Sequence, residues 1–335
     1  MTVFVAVHVG AGLLSRSKES KYRLACARAC EEAMRELKKG ESALEAISKA
    51  IVILENDPIT NAGYGSNLTL KCTVECDASI MDGHTNNFGA VGAVSGIKNP
   101  ILAAKKMVQQ TSLLPLGRIP PTLLVGSGAK TWAKEQNIAL VEDAALISQN
   151  ALNTFGKHME LLLFHNNDNS QEDDDKLDDT VGAIAIDMNG NIAAGAAMYG
   201  CGCWAKNATE NKPGIACSTS GTGEQIIRTR ITTQCVEQLI KEDDIPSCMN
   251  RILRKNFLQS PYLQMYEEKS VGMIILRAVK KDSNHSNNHH VEFSYAHTTS
   301  SMGIGCMSGE SKKPKTFISR KADHETILCS GWLVE

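Results

Sequence analysis

The chain has 335 residues, of which 42% are hydrophobic, and it carries a formal net charge of −2. A chain of this size can bury a substantial core, as one large domain or two, and its composition excludes disorder of the chain as a whole. The near-neutral net charge gives no electrostatic reason to expect direct nucleic-acid binding. The basic cluster at residues 312–315 is too short to change this and is interpreted as a solvated loop. No segment approaches the run of roughly 20 apolar residues that a membrane span needs.

The first 164 residues predict a succession of strands and helices. Residues 1–7 are apolar, lack a basic leader and are too short for a signal core, so they predict a core strand. Apolar residues at helical spacing predict a helix over residues 18–39, and a second helix follows Gly40 over residues 42–54. Further strands are predicted over residues 72–80, 88–97 and 122–125, and further helices over residues 100–110, 129–135 and 143–164.

The second half begins with a predicted hairpin after Thr180. A two-residue turn at residues 189–190 would pair Met188 with Asn191 and place Thr180 opposite Tyr199. After the hairpin, we expect a strand towards residue 218, helices over residues 222–239 and 248–258, and strands over residues 271–279 and 291–297 and near residue 327.

The cysteine content indicates the redox compartment. Eleven cysteines in a chain without a secretory leader indicate free thiols in a reducing, intracellular environment.

The close pairs of cysteines lack a second Cys/His pair at zinc spacing, and the histidines at residues 285–290 stand among Asn and Ser, as in a solvated hairpin tip. The sequence therefore predicts no metal site.

The peptide bond between Asp179 and Thr180 is a candidate cleavage site. The tract at residues 166–175 is polar enough to stay flexible, whereas residues 181–187 predict a buried strand. A cut before Thr180 would create a free α-amine, which titrates near pH ~8 and can take the proton of the threonine hydroxyl. That hydroxyl could itself make the cut by attacking the carbonyl of Asp179. On these residues alone, the simpler interpretation is a loop that ends at a strand with a β-branched first residue, because short motifs match by chance.

Several longer motifs carry a family resemblance. In this order along the chain, they are residues 7–12 (VHVGAG), 60–68 (TNAGYGSNL), 77–83 (DASIMDG), 179–183 (DTVGA) and 218–224 (STSGTGE). Their order resembles that of the plant-type asparaginases and isoaspartyl peptidases, which are N-terminal-nucleophile hydrolases. Within that superfamily, five segments resemble the threonine aspartases, or taspases: residues 87–93 (NFGAVGA), 117–121 (GRIPP), 199–205 (YGCGCWA), 297–302 (HTTSSM) and 316–320 (TFISR).

The resemblance implies a fold and a domain organisation. N-terminal-nucleophile hydrolases are α+β proteins with a four-layer αββα sandwich, in which the nucleophile begins a central strand. Residues 1–335 would then form a single domain. Self-cleavage would divide it into an α subunit, residues 1–179 with a flexible acidic tail near 165–179, and a β subunit, residues 180–335. A homodimer of such αβ units is expected.

The resemblance also implies roles for individual residues. Thr180 would be the nucleophile and, through its amine, the general base. Asn61, Ser220 and Gly221 would stabilise the oxyanion, and Gly223 would contact the substrate. Such donors matter because negative charge develops on the carbonyl oxygen during attack. Without the resemblance, residues 221–224 would be interpreted as a turn and a helix start.

Two further features of the family are less specific here. Lys18 aligns with a taspase lysine near the site and is a candidate substrate-binding residue. The loop at residues 54–64 corresponds to one that holds sodium through main-chain carbonyls in asparaginase relatives. A buried turn stabilised by its own backbone bonds explains that loop equally well, so we predict neither a metal nor an organic cofactor.

One departure from the family concerns activation and substrate binding. The relatives have a hydroxyl residue followed by Gly-Gly after the nucleophile strand, and then a Gly-Arg-Val-Gly loop whose arginine grips the substrate carboxylate. Residues 191–200 contain neither element, and Met198 takes the place of the hydroxyl residue. A thioether cannot donate a hydrogen bond, and the nearby Lys18 and Lys206 are point charges that lack the planar fork of arginine. The chain is therefore either a shortened form of an active enzyme or a catalytically impaired variant.

The main hypothesis is a threonine-type endopeptidase that cleaves itself between Asp179 and Thr180 and then hydrolyses protein substrates after aspartate. The resemblance implies transcription regulators as substrates, and a location in the cytoplasm and nucleus. Two alternatives remain. The first is an asparaginase or isoaspartyl peptidase that acts on small amides, and the second is an uncut protein that binds substrates or pairs with active subunits.

Overall fold

The computed structural model describes residues 2–110, 114–164, 180–197, 202–281 and 289–334. Its strands form two sheets. The strands are, in chain order, β1 (Phe4–Gly12), β2 (Cys76–Asp82), β3 (Phe88–Val94), β4 (Leu123–Val125), β5 (Gly182–Ile186), β6 (Ile192–Ala196), β7 (Cys203–Lys206), β8 (Gly214–Gly221), β9 (Val271–Lys280), β10 (His289–His297), β11 (Ser301–Ser308), β12 (Lys315–Arg320) and β13 (Leu328–Val334).

The first sheet has the strand order β12-β11-β1-β5-β6-β2-β3-β4, and the second has the order β13-β10-β9-β8-β7. Neighbouring strands in both sheets run antiparallel, except β3 and β4, which run parallel. The candidate nucleophile therefore stands at the start of β5, a strand with neighbours on both sides near the middle of the larger sheet.

The helices flank the sheets. They are α1 (Glu19–Lys38), α2 (Ala43–Glu55), α3 (Pro100–Val108), α4 (Gly126–Glu135), α5 (Gln149–Phe164), α6 (Gly223–Thr229), α7 (Ile231–Leu239) and α8 (Ile245–Ile252), with short 3-10 turns and a π-helical turn at Leu253–Leu258. No helix in the described ranges is both long enough and apolar enough to cross a membrane.

Four layers result from this packing. Helices α1, α2 and α3 lie on the outer face of the larger sheet, while α7 and α8 lie on the outer face of the smaller one. Strands β1, β5 and β6 of the larger sheet contact β8 and β9 of the smaller sheet across the middle. One hydrophobic core fills the space between the sheets and under α7 and α8, and a second lies between the larger sheet and α1 to α3. The predicted α+β fold with a four-layer αββα sandwich is confirmed.

Helix α1 shows how the sequence builds one of these layers. Its buried residues Cys26, Ala29, Cys30 and Ala33 recur at helical spacing, and the helix packs on β11 and β1. The side chains on this face are small, so the helix can approach the sheet closely. A side chain at Gly305 of β11 would come within 2.7 Å of the Cβ atom of Cys26, so this position needs glycine.

The register of the β5–β6 hairpin differs from the prediction by one residue. Gly182 lies opposite Ala196, whereas a two-residue turn would place it opposite residue 197. The observed turn has three residues, 188–190, and the last of them is a glycine at φ +79°. Asp187 selects this turn, because its backbone N–H donates to Asn191 O at 3.0 Å and its carboxylate accepts from Asn191 N at 2.9 Å.

Several predicted elements differ in detail from those in the structure. The helix predicted over residues 222–239 is broken at Arg230, which adopts left-handed φ and ψ angles of 50° and 35° between α6 and α7. The helix predicted from residue 248 begins earlier, because the Asp244 side chain caps it by accepting from Ser247 N at 3.1 Å. Strands β7, β11 and β12 were not predicted. The tail at residues 165–179 lies outside the described residues, and the division into two subunits stays a prediction.

Candidate active site

A cleft of about 540 Å³ opens in front of the start of β5. Its walls come from the loop before β2, the first residues of β2, the end of β3, the residues that flank β5 and β6, and the turn from β8 into α6. The described lining consists of Asn61, Ala62, Gly63, Ser66, Asn67, Thr69, Glu75, Cys76, Asp77, Ala93, Thr180, Ala197, Gly221, Thr222, Gly223 and Glu224. The predicted residues Thr180, Asn61, Gly221 and Gly223 therefore share one cleft.

Thr180 is held at three of its polar atoms. Its backbone N–H donates to Ser220 Oγ at 3.2 Å, and its hydroxyl Oγ1 donates to the carbonyl of Ala197 at 2.7 Å. Its carbonyl oxygen lies 3.2 Å from His8 Nδ1. The residue is only 7% exposed but still lines the cleft, so its hydroxyl has a fixed direction at the edge of a space that can hold a substrate.

Ser220 lies behind Thr180 and is fully buried. Its hydroxyl oxygen accepts from the backbone N–H groups of Thr180 and Ala11, the latter at 3.1 Å, and it donates to Thr180 O over 3.4 Å. The hydroxyl thus stands beside the nitrogen that would become an α-amine after cleavage. The role of Ser220 in an oxyanion hole stays a prediction, and the geometry adds a role in orienting that nitrogen.

His8 forms part of the site although sequence reasoning gave it no role. Its Nε2 atom lies 2.9 Å from Ser218 Oγ, and Ser218 Oγ lies 2.9 Å from Gly195 O, which accepts a bond from it. Burial lowers the pKa of His8 to about 3, so the imidazole is neutral near pH 7. Because the neutral ring carries one proton and the Ser218 hydroxyl donates to Gly195 O, the ring donates either from Nδ1 to Thr180 O or from Nε2 to Ser218 Oγ.

This network leaves no room for a side chain at the first residue of β5. A Cβ atom at Gly182 would overlap Ser218 Oγ and His8 Nε2. The sequence signals were the histidine of the motif at residues 7–12 and the glycine of the motif at residues 179–183. Their contact depends on the pairing of β1 with β5, which joins positions more than 170 residues apart.

Asn61 also lines the cleft and is half-buried. Its Oδ1 atom accepts from Asn67 N at 2.9 Å, which orients the side-chain amide. With Oδ1 engaged by the loop, the Nδ2 protons are the donors that the amide offers to a ligand. This placement suits the predicted contribution to an oxyanion hole, where a preorganised N–H donor faces the developing charge.

Gly221 forms the sharp turn between β8 and α6. It has a φ of +120°, and a Cβ atom there would overlap Ser270 O, to which Thr222 N donates at 3.0 Å. Only glycine fits this position without strain. The turn carries the backbone of Gly221 and Gly223 along the cleft wall, as predicted from the motif at residues 218–224.

Of the predicted site residues that the structure describes, Ser220 and Lys18 do not line this cleft. Ser220 lies behind Thr180. Lys18 lines a neighbouring cavity of about 30 Å³ with Tyr22, Thr60 and other residues, and the two spaces share Asn67. Its assignment as a substrate-binding residue stays a prediction. Asp179 lies outside the described residues, as do residues 198–201, which include the position predicted to face Thr180.

The loop at residues 54–64 is held by its own hydrogen bonds. Thr60 Oγ1 donates to Leu54 O at 2.7 Å, and Thr60 N donates to Asp57 O at 3.2 Å. The carbonyl oxygens of Leu54 and Asp57 therefore already accept hydrogen bonds from within the loop. This arrangement fits a self-stabilised turn.

The five segments that carried the taspase resemblance mostly lie away from the cleft. Of their described residues, only Ala93 lines it. His297 is buried and bonds through Nε2 to Ser319 Oγ at 2.9 Å, while Arg320 reaches Glu19 at 3.0 Å. These contacts tie β10, β12 and α1 together. The segments at residues 297–302 and 316–320 therefore support the fold and do not line the cleft.

The chain is similar in sequence to known proteins. The asparaginase family model, Asparaginase_2, matches residues 1–303. The chain is 32% identical over 252 residues to the isoaspartyl peptidase of Escherichia coli strain K12, an alignment that covers 67% of this chain and 73% of the relative. It is 34% identical over 243 residues to the isoaspartyl peptidase/L-asparaginase of Mus musculus, covering 69% of this chain and 71% of the relative. The chain therefore belongs to the asparaginase family Asparaginase_2, within the N-terminal-nucleophile hydrolases.

Proposed function

We propose that the chain is a threonine-type amide hydrolase that cuts itself before Thr180 and then hydrolyses small β-aspartyl amides such as L-asparagine and isoaspartyl dipeptides. The arrangement around Thr180 carries this proposal, because its nitrogen and hydroxyl are both fixed at the edge of a cleft that also holds Asn61 and Gly221. The substrate class follows the names of the relatives, which are isoaspartyl peptidases and isoaspartyl peptidase/L-asparaginases.

Maturation would begin with attack by Thr180 Oγ1 on the carbonyl carbon of Asp179. The carbon–nitrogen bond breaks, the nitrogen keeps the electron pair and takes the hydroxyl proton, and an ester joins Asp179 to Thr180. Water then hydrolyses the ester to give a carboxyl group on Asp179 and a free hydroxyl on Thr180. In the structure, the hydroxyl proton points to Ala197 O and the nitrogen is held by Ser220, so both groups that exchange the proton are oriented.

Turnover would repeat the same acyl transfer on a substrate. The α-amine of Thr180 takes the proton from Oγ1, and the oxygen attacks the amide carbonyl. Asn61 Nδ2 and the backbone at Gly221 stabilise the negative charge on the carbonyl oxygen, and the ammonium returns its proton to the leaving amine. Water hydrolyses the resulting ester, and the carboxylic acid leaves the cleft.

A second candidate function is cleavage of protein substrates after aspartate. The observation that favours it is Asp179 itself, since a cut before Thr180 is already a cut after aspartate. Under this proposal the partners are transcription regulators, the active form is a homodimer of αβ units, and the protein works in the cytoplasm and nucleus. Localisation of the tagged chain and its molecular mass in solution test those two expectations.

Intact-mass analysis of the purified protein tests the first step. After long incubation we expect fragments corresponding to residues 1–179 and 180–335, with no such cleavage in Thr180→Val and slower cleavage in Thr180→Ser, which keeps the hydroxyl. A single intact species would overturn the proposal and would support an impaired, binding-only protein. Cleavage of Thr180→Val at the same bond would show that another protease makes the cut.

Substrate assays on the cleaved protein separate the two candidate functions. Ammonia release from L-asparagine and hydrolysis of an isoaspartyl dipeptide would support the small-amide hydrolase. Cleavage of an aspartate-containing peptide at the bond after aspartate, without ammonia release from asparagine, would support the endopeptidase.

A further inference from the structure

The charge of the cleft lining is one-sided. Three carboxylate side chains line it: those of Glu75, Asp77 and Glu224. Among the described lining residues there is no lysine, arginine or histidine. Lys18 belongs to the neighbouring cavity, so the described walls around the substrate space carry negative charge only.

Asp77 has a fixed position among these carboxylates. A register shift between β2 and β3 falls at Cys76 and Ala78, and opposite it Ala93 adopts a left-handed φ of +48°. This bulge lets Asp77 Oδ1 accept from Ala93 N at 2.8 Å, which orients the carboxylate. Bulges commonly re-aim a side chain beside an active site.

A cleft lined by charge of one sign concentrates ligands of the opposite sign and repels ligands of the same sign. A β-aspartyl amide carries two charged groups beside its reacting carbonyl, an α-ammonium and an α-carboxylate. The ammonium can form charge-assisted hydrogen bonds with the carboxylates of the cleft. The α-carboxylate would meet no described cationic partner among the lining residues and would be repelled by the acidic wall.

We propose that this cleft selects its acyl donor through an ammonium group held by the acidic wall of Glu75, Asp77 and Glu224, and that it does not require a substrate carboxylate. The proposal rests on the proposed function, because it describes the substrate of the same site. It predicts that amides of amino-substituted acyl groups are the preferred substrate class, and that acyl groups whose only charge is a carboxylate are rejected.

Three coumarinyl amides test the proposal on the cleaved protein. The β-aspartyl amide carries both charges, the β-alanyl amide carries only the ammonium, and the succinyl amide carries only the carboxylate. We expect kcat/KM for the β-alanyl amide to stay within about tenfold of the β-aspartyl value, and that for the succinyl amide to fall on the order of 100-fold below it. A succinyl amide that matches or exceeds the β-alanyl amide would overturn the proposal, and so would turnover of the β-aspartyl amide alone.

Failure of the proposed function is distinguishable from failure of the inference. If none of the three amides is hydrolysed, the small-amide hydrolase assignment fails, and charge selection is then measured by binding to the uncut Thr180→Val chain. Calorimetry with β-alaninamide and with succinamate supports the inference if only the former binds detectably. Tighter binding of succinamate, or equal binding or no detectable binding of the two, contradicts it.

Charge-removing variants assign the selection to the acidic wall. Asp77→Asn keeps an oxygen that can accept from Ala93 N, and Glu224→Gln changes an exposed residue, so both should fold. We expect each to lower kcat/KM for the β-alanyl amide about tenfold and to leave or raise that for the succinyl amide. The matched control is Glu135→Gln, an exposed carboxylate at the end of α4 outside the cleft, which should change neither value. Equal losses for both amides in the cleft variants would indicate a structural effect and count against the inference.

Discussion

The two walls that meet at Thr180 differ in how their polar groups are used. Behind Thr180, the side chains of His8, Ser218 and Ser220 are fully buried and bond to one another or to backbone groups. In front of it, Glu75 and Glu224 are exposed to the cleft. The contrast separates two tasks. The buried wall holds the nitrogen and the carbonyl of Thr180 in place, whereas the carboxylates of the open wall are accessible to a ligand.

Replacing the nucleophile should give the largest effect, because both walls serve it. Thr180→Val keeps the shape of the side chain but removes the hydroxyl, so we expect self-cleavage and amide hydrolysis to fall by ~1,000-fold or more. Thr180→Ser should keep measurable activity. A quantitative gel over several days, with a coumarinyl amide assay, checks both; a valine variant that still turns over substrate would remove Thr180 from the mechanism.

Substitutions of Asn61, which lines the cleft, should give the next largest effect. In Asn61→Asp, Oδ1 can still accept from Asn67 N, but the Nδ2 donor is lost, so kcat should fall on the order of 100-fold to 1,000-fold. Asn61→Ala removes both the donor and the acceptor, and it should be at least as inactive and less stable. Comparing kcat with thermal unfolding separates the two effects, and a fully active aspartate variant would exclude the oxyanion role.

Ser220 tests the buried wall. Ser220→Ala leaves the N–H groups of Thr180 and Ala11 without this acceptor, which should lower the free energy of unfolding by about 1–3 kcal/mol and slow self-cleavage about tenfold. After cleavage, the serine oxygen favours the charged amine, so its loss should move the acid limb of the kcat/KM profile to lower pH.

Ser218→Ala is the matched control for that experiment. It breaks the contacts with His8 and Gly195 without touching the Thr180 nitrogen, so it should destabilise the protein without moving the acid limb. An equal shift in both variants would contradict the specific role of Ser220.

The smallest effect concerns Glu55, at the end of α2 beneath the loop that carries Asn61. Burial raises the pKa of this carboxyl from 4.5 to about 8, and Oε2 has no hydrogen-bond partner in the described structure. Because the folded-state pKa lies above the unfolded value, the stability associated with the bound proton is complete below pH 4.5 and is lost as the pH rises to about 8.

Glu55→Gln should flatten that dependence. Its carbonyl oxygen can still accept from Ile101 N, the bond that Glu55 Oε1 makes at 3.0 Å. Urea unfolding between pH 5 and pH 8 should show a smaller loss of stability in the variant than in the wild type. Identical slopes would indicate that Glu55 titrates normally.

The sequence predicted the fold where local pattern and packing agree. Helix α1 followed from the spacing of residues such as Cys26 and Cys30, and β10 followed from the strand pattern over residues 291–297. Strand β11 was missed because Gly303 and Gly305 have low strand propensity. These glycines are explained by close tertiary contacts with Leu14, Val9 and Cys26, which local propensity cannot reveal.

The site was predicted through motifs and not through geometry. Thr180, Asn61, Gly221 and Gly223 line one cleft, but their meeting point depends on the order of the strands. The role of His8 could not be inferred, because it requires the pairing of β1 with β5. The hairpin register failed for a side-chain reason, since the carboxylate of Asp187 stabilises a three-residue turn.

The strand order of the larger sheet has a consequence for the fate of the cleaved protein. Strand β1 precedes Thr180 in the chain, but it is hydrogen-bonded to β5 on one side and to β11 on the other, and both of these strands follow Thr180. In the same way, β2 precedes Thr180 and pairs with β6, which follows it. Cleavage before Thr180 would therefore leave strands of the two fragments alternating in one sheet, and dissociation of the fragments would require breaking the backbone hydrogen bonds of that sheet. The halves should co-purify through dilution and high salt and part only in denaturant, so that the cut switches on chemistry without releasing a fragment.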